Sequence, residues 1–279
     1  MHARKRTRVP LATIIVVVFT AVLVAAVAGA GVFYAQGGRW VVVQTPSMGE
    51  YAPVGTLVIS APVSPAQLHT GETILFHPPT SPNETYFHRI VSVAGPIIRT
   101  KGDINGSVDP WILHSSDVIG HEVARFVGVG MLLQALPILL VGGVLLEILT
   151  RYYAAAHWRA PIRVLGWSML VAAAIVIVRP LVQAVILTQA TAGSKLTAIL
   201  VPTGLLTLDT HAVNGTTAVL RPGQPGSVQT SRSASAQVMH VLLSPHFDAG
   251  TVTIIGALCL VPTVICLIIV LRKPAGRHA

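Results

Sequence analysis

Four long apolar stretches constrain this chain more than any other feature. They occupy residues 9–34, 129–149, 164–187 and 251–271 of a 279-residue sequence. Each is close to the ~20 residues that a helix needs to span the hydrocarbon core of a bilayer. The sequence is 52% hydrophobic and only 10% charged, which is too apolar for a soluble enzyme of this length. We therefore predict a membrane protein with four transmembrane helices.

The basic residues predict how these helices are oriented. They concentrate in the N-terminal segment 1–8, in the loop 150–163 and in the C-terminal tail 272–279. Four spans place both ends on one side, so all three basic segments are expected to be cytoplasmic. Segment 9–34 is longer than the roughly 7–15 apolar residues of a secretory signal and is interpreted as an uncleaved anchor, with a cleaved signal peptide as the alternative. The net charge of +9 therefore indicates contact with anionic lipid rather than nucleic acid.

Two regions are left to face outward, and both have the composition of β-structure. The first, residues 35–128, contains short runs rich in β-branched residues and separated by Gly, Pro, Ser and Asn. These runs are residues 39–45, 55–62, 72–77, 85–93 and 96–102. The second, residues 188–250, contains similar runs at 195–201, 216–222 and 237–244, with a Gly-, Pro- and Ser-rich stretch at 222–235 that predicts a loop. We predict a small all-β domain and a second, smaller β-rich region.

The first outward region carries the residue types of an activated serine. Such chemistry needs a nucleophile, a base within hydrogen-bond reach and a group that orients the base. Ser47 follows the first predicted strand, and His88 lies in a later strand whose alternation puts it on the face opposite to Arg89. Asp103 and Asp109 lie in a turn-rich segment after another strand. Taken singly, Ser47, Asp103 and Asp109 are better explained as ordinary turn residues, and His88 is also consistent with a partly buried strand position.

Four short motifs in order change that balance. They are PSM at 46–48, GETILF at 71–76, HRI at 88–90 and KGDINGSVD at 101–109. In this order, after an N-terminal anchor, the chain resembles the type I signal peptidases over about residues 10–135. The resemblance is to the branch of archaea, the endoplasmic reticulum and some Gram-positive bacteria, in which histidine replaces the lysine base. It implies a mostly β extracytoplasmic catalytic domain on a membrane anchor, acting as a serine endopeptidase on signal peptides.

The resemblance also implies a role for each candidate residue. Ser47 is expected to be the nucleophile and His88 its base, with Lys101 as the rival base. Asp109 is expected to orient His88, while Asp103 is the second candidate and is better suited to holding the turn. The backbone N–H of Ser47 and the hydroxyl of Thr45 are the expected oxyanion donors. Neither a cofactor nor a metal ion is expected.

Partners and location follow from the same resemblance. The expected substrates are secretory preproteins with small residues at positions −1 and −3 of the cleavage site, and the export machinery is a candidate partner. A glycan on Asn105 in the sequence Asn-Gly-Ser would obstruct the site, which favours a bacterial plasma membrane, with several spans and an extracytoplasmic catalytic domain.

A competing hypothesis is a catalytically inactive, membrane-anchored β-domain that acts as a binding or assembly factor. Residues 188–250 are expected to stabilise or dock, so the chain up to about Thr150 should suffice for cleavage.

Overall fold

The computed structural model describes residues 10–192, 195–231 and 239–271, so the predicted basic segments 1–8 and 272–279 lie outside the described residues. Within these ranges, four helices are long and apolar enough to cross a membrane. They are α1 (Leu11–Ala35), α2 (Val129–Tyr153), α3 (Arg159–Val178) and α4 (Ala249–Leu271). At most 17% of the apolar window of any of them is buried. Apolar surface of this extent is unfavourable in water and matches the lipid-facing surface of a membrane protein.

Helices α2, α3 and α4 pack side by side in chain order. Gly143 of α2 lies against the ring of Trp167, and Gly166 of α3 lies against Leu146, so neither position has room for a Cβ. Small residues of this kind let apolar helices approach closely where the hydrophobic effect between them is absent.

The third apolar stretch differs from its prediction of 164–187, because α3 ends at Val178 and a strand begins at Ala184. Arg179 adopts an extended conformation and precedes Pro180, and a residue before proline disfavours the helical region. The apolar residues that follow belong to the strand, since an apolar run alone does not distinguish strand from helix. Arg179 itself is buried at the end of α3, with only 7% of it exposed.

Residues 35–128, the first region that was predicted to face outward, form a six-stranded antiparallel sheet, and all five predicted strands are confirmed. The strands are β1 (Arg39–Val42), β2 (Leu57–Ala61), β3 (Thr73–Phe76), β4 (Tyr86–Ala94), β5 (Ile97–Lys101) and β6 (Val118–Phe126). Their order is β1-β2-β6-β3-β4-β5, so β6, which was not predicted, lies in the middle of the sheet. Strand β3 is buried on both faces, with Leu75 in one core and Ile74 and Phe76 in the other.

The second region that was predicted to face outward contains two three-stranded antiparallel sheets. The strands are β7 (Ala184–Ala192), β8 (Lys195–Pro202), β9 (Leu208–Ala212), β10 (Thr217–Leu220), β11 (Gly226–Ser231) and β12 (Val241–Pro245). The sheet orders are β10-β9-β12 and β11-β8-β7, and Leu200, Ala212 and Val228 join both sheets in one core. The prediction of a loop over 222–235 is wrong for β11, which pairs with β8; residues 232–238 lie outside the described residues. We call residues 184–245 the second β region.

Candidate active site

Ser47 lies at the centre of a single 3-10 turn, Pro46–Met48, that follows β1. Proline at the first position of the turn fixes a favourable φ. Met48 is 1% exposed and packs into a core with Leu75 and Phe87, whereas Ser47 remains half-buried at the surface of a cleft. Burial of the methionine therefore fixes the turn and leaves the serine hydroxyl accessible.

A second turn, residues 102–105, packs against the backbone of Ser47. Ile104 donates its N–H to the carbonyl of Ser47 at 3.1 Å. A Cβ on Gly102 would lie 2.8 Å from the same oxygen, so only glycine permits this approach. Gly49 has φ +56°, and a Cβ there would lie 2.6 Å from Cγ2 of Ile104. The motif PSM and the motif containing Asp103 thus meet in space through their backbones.

The side chains of Ser47, His88 and Asp109 form a continuous hydrogen-bonded chain. His88 Nε2 lies 3.0 Å from Ser47 Oγ, and His88 Nδ1 lies 2.7 Å from Asp109 Oδ2. His88 and Asp109 are 4% and 6% exposed. An ionised carboxylate only accepts hydrogen bonds, so Nδ1–H of His88 donates to Asp109 and Nε2 is free to accept the serine proton. This is the arrangement that general-base activation of a serine requires.

Thr100 also belongs to this hydrogen-bonded set of side chains, although the sequence did not single it out. Its hydroxyl donates to Asp109 Oδ2 at 2.7 Å, and its carbonyl accepts the N–H of Asp109 at 2.9 Å. Thr100 is fully buried and lies opposite Ile90 in the β4–β5 pair, hence on the same face as His88. Strand alternation in β5 was the available signal, and it required knowledge of the β4–β5 register.

The other two candidates lie on the opposite face of β4. Both carboxylate oxygens of Asp103 accept hydrogen bonds from the guanidinium of Arg89 at 2.8 Å, and this pairing raises the pKa of Arg89. Arg89 also donates to the carbonyl of Gly71 at 2.8 Å and lies over the ring of Tyr51. Lys101 is the register partner of Arg89 and therefore shares its face, away from His88. This geometry favours His88 over Lys101 as the base and Asp109 over Asp103 as its partner.

The expected oxyanion donors lie beside the hydroxyl of Ser47. The Thr45 hydroxyl is 3.4 Å from Ser47 Oγ. The Ser47 N–H makes no backbone hydrogen bond within the described residues. Both donors can therefore point toward an oxygen that develops charge next to Ser47.

A cleft of about 400 Å³ runs from Ser47 and His88 between β1 and β4. Val43 exchanges hydrogen bonds with residues 55 and 56 on the β2 side, so the backbone groups of Val42 and Gln44 point the other way. On the far wall, Ile90 exchanges backbone hydrogen bonds with residues 71 and 72 on the β3 side, so the alternation along β4 turns the backbone groups of Phe87 away from β3. The pairing of β4 with β5 begins only at Arg89. The cleft is therefore bordered by two strand edges whose backbone groups are open in the described part of the chain.

The wall of the cleft next to His88 is aromatic. Tyr86 and Phe76 meet the imidazole edge-on, with ring centroids 5.7 and 6.1 Å away. Burial, with the nearby charge of Glu84 as a further cause, raises the pKa of Tyr86, so this phenol stays neutral. These rings hold the orientation of His88 without competing for its proton.

A second pair of titratable side chains lies apart from Ser47, His88 and Asp109. Asp209 Oδ1 of the second β region lies 2.9 Å from Nδ1 of His246, the residue directly after that region, and both positions are partly exposed. No serine hydroxyl bonds to either side chain in the described ranges. Within the same ranges, no three His, Cys, Asp or Glu side chains are grouped so as to hold a metal ion.

Comparison with known proteins adds no relative to this description. No protein-family model matches the chain, and no curated protein matches it.

Proposed function

We propose that this protein is a membrane-bound serine endopeptidase that cleaves N-terminal signal peptides from exported preproteins. The observation that carries the proposal is the chain from Ser47 Oγ through the imidazole of His88 to Asp109, with contacts of 3.0 and 2.7 Å. Its position at the end of an open-edged cleft supports action on an extended polypeptide. The order of the four sequence motifs supports the choice of substrate class.

The proposed reaction gives each of these residues a role. Ser47 Oγ attacks the carbonyl carbon before the scissile bond while His88 Nε2 takes the hydroxyl proton. The Ser47 N–H and the Thr45 hydroxyl donate to the resulting oxyanion. His88 then gives the proton to the leaving amine, and a water molecule deprotonated by His88 hydrolyses the acyl-enzyme. Asp109 keeps Nδ1 protonated and stabilises the imidazolium, and Asp103 holds the turn against the Ser47 backbone through Arg89.

Extended substrate would enter the cleft as an added strand. The outward backbone groups of Val42 and Gln44 on one wall and of Phe87 on the other offer hydrogen bonds along a peptide. Small side chains at positions −1 and −3 would face the apolar surface that Val43, Leu75 and neighbouring residues form. In this proposal, the preference for small substrate side chains at positions −1 and −3 arises from their packing against the wall of the cleft.

The site's place in the chain supports a substrate held at a bilayer. Helix α1 ends at Ala35, shortly before β1 and Ser47, so the nucleophile stays close to the outer end of the first apolar helix. A signal peptide leaves its apolar core in the bilayer and presents a short segment at this level. With four spans and the α2–α3 loop in the cytoplasm, both β regions face outward from a bacterial plasma membrane.

The decisive experiment compares Ser47→Ala with Ser92→Ala in the full-length protein purified in detergent. Ser92 is an exposed serine of β4 and serves as the matched control. Cleavage of a preprotein, read by mass spectrometry of the new N-terminus, should fall by several orders of magnitude in Ser47→Ala and stay unchanged in Ser92→Ala. If wild type and Ser47→Ala yield the same products at the same rate, Ser47 is not the nucleophile. If neither cleaves while both bind preprotein, the protein is a binding factor.

A further inference from the structure

The second β region reaches the turn that carries Ser47. Gly223, in the loop between β10 and β11, has φ +82° and lies against the backbone of Gly49 and Glu50. A Cβ at Gly223 would be 2.6 Å from the carbonyl oxygen of Gly49 and 3.2 Å from the nitrogen of Glu50. Gly49 is the residue directly after the Pro46–Met48 turn. Two glycine backbones therefore meet where no side chain fits.

The nucleophile turn is consequently held from two sides. On one side, Ile104 bonds the carbonyl of Ser47 and packs on Gly49. On the other side stands Gly223, whose N–H donates to the carbonyl of Pro202 at 2.9 Å and so fixes its loop to the end of β8. The turn that presents Ser47 has little room to shift while both neighbours are in place.

Arg179 fixes the second β region in this position. Its guanidinium donates to the carbonyls of Thr203 and Gly204 at 2.8 Å, just after β8, and to the carbonyl of Val54 at 2.5 Å in the first β domain. A buried guanidinium that binds carbonyls of two regions ties them together, because separation would leave its charge without partners. The loop that follows β8 is thereby held at a constant distance from the segment that precedes β2.

We propose that the second β region positions the catalytic serine and that Gly223 is its positioning residue. This inference rests on the proposed function, because it assigns a role in the reaction of Ser47. A side chain at 223 must displace the Gly49 backbone or its own loop by a few tenths of an ångström, since Cβ atoms essentially never approach within 3.0 Å. Displacement of Gly49 moves Ser47 relative to His88, and misplacement of about 1 Å in such a pair costs roughly 100-fold in rate.

The test compares Gly223→Ala with Gly95→Ala in the full-length protein. Gly95 also has positive φ, at +60°, but a Cβ there would meet nothing within 4 Å, so this control carries the same kind of backbone strain without the contact. Gly223→Asn is the second variant, because asparagine tolerates positive φ while keeping the Cβ. Three quantities are measured: kcat and KM for a preprotein, the rate at which a fluorophosphonate probe labels Ser47, and the thermal unfolding midpoint.

We expect Gly223→Ala and Gly223→Asn to lower kcat and the labelling rate on the order of tenfold, with KM nearly unchanged. Gly95→Ala should retain wild-type values of both rates. The proposal is overturned if the Gly223 variants match Gly95→Ala, if only KM rises, or if Gly223→Asn restores the wild-type rate. A wild-type protein that is labelled at Ser47 but does not cleave preproteins contradicts the substrate assignment alone, since labelling still tests the positioning. A wild type that is neither labelled nor active overturns both.

Discussion

At the residue scale, Ser47 stays accessible because its two neighbours hold the turn in place. A nucleophile needs access to substrate, whereas a turn needs buried contacts to stay in place. Pro46 restricts the backbone before the serine, and Met48 fills a core position after it. Replacing Met48 with alanine would cost about 2–5 kcal/mol of stability by opening a cavity, although the methionine touches no reacting atom.

The first residue-scale prediction concerns Thr100. Thr100→Val removes the hydroxyl that donates to Asp109 and conserves the volume of the side chain. Loss of a hydrogen bond to a charged group costs about 1.5–3 kcal/mol, so kcat should fall roughly tenfold or more if that bond orients Asp109 during proton transfer. Steady-state cleavage of a signal-peptide substrate measures the effect.

Thr73→Val is the matched control for this prediction. Thr73 is also a buried threonine of the same sheet, and its hydroxyl donates to the carboxylate of Glu122. Both variants should lower the thermal unfolding midpoint, but only Thr100→Val should lower kcat. Equal kcat values for the two variants would show that Thr100 has a structural role alone.

At the element scale, strand periodicity predicted much of the site. Alternation in residues 85–93 placed His88 and Arg89 on opposite faces, and the structure has the imidazole on Asp109 and the guanidinium on Asp103. Strands β6 and β11 were missed because each contains residues with weak strand preference and obtains its backbone hydrogen bonds from partners distant in sequence. Such pairing is decided by the tertiary fold and leaves little local signal.

The element-scale prediction separates the two carboxylates. Asp109→Asn should lower kcat far more than it lowers the unfolding midpoint. The asparagine NH2 group can donate to Nδ1 of His88 and so favour the tautomer with a protonated Nε2, and the neutral amide does not stabilise the imidazolium. Asp103→Asn should lower the midpoint at least as much as turnover, since it breaks the two-bonded pair with Arg89 and loosens the turn against Ser47. Thermal melts paired with cleavage assays measure both effects. An Asp109→Asn protein with wild-type kcat would reassign the acid.

At the scale of the whole molecule, the sequence predicted two outward regions but not their contact. The contact joins Gly49 to Gly223 and Val54 to Arg179, pairs whose members are far apart in the chain and carry no shared motif. Neither a glycine nor a single arginine near the end of an apolar stretch indicates its partner by type. The expectation that the chain up to Thr150 suffices for cleavage was made without knowledge of this contact, and it stays a prediction.

Arg179→Lys tests whether this contact is a structural tie. Lysine keeps the positive charge but replaces a planar fork with one compact ammonium group, which cannot bond the carbonyls of Val54, Thr203 and Gly204 in the same geometry. Loss of one or two of these bonds should reduce stability by about 1–3 kcal/mol. The unfolding midpoint in detergent should fall, and limited proteolysis should release the second β region earlier than in wild type.

Arg221→Lys is the control, because Arg221 lies in the same region but its side chain is exposed. Its midpoint and its proteolysis pattern should match those of wild type. If the second β region also positions Ser47, Arg179→Lys will lower the labelling rate of Ser47 at temperatures well below the midpoint, where the protein is folded. If Arg179→Lys lowers the unfolding midpoint but leaves the labelling rate of Ser47 at the wild-type value, Arg179 contributes to stability alone. A variant that melts at the wild-type temperature would show that the two β regions are held together by other contacts.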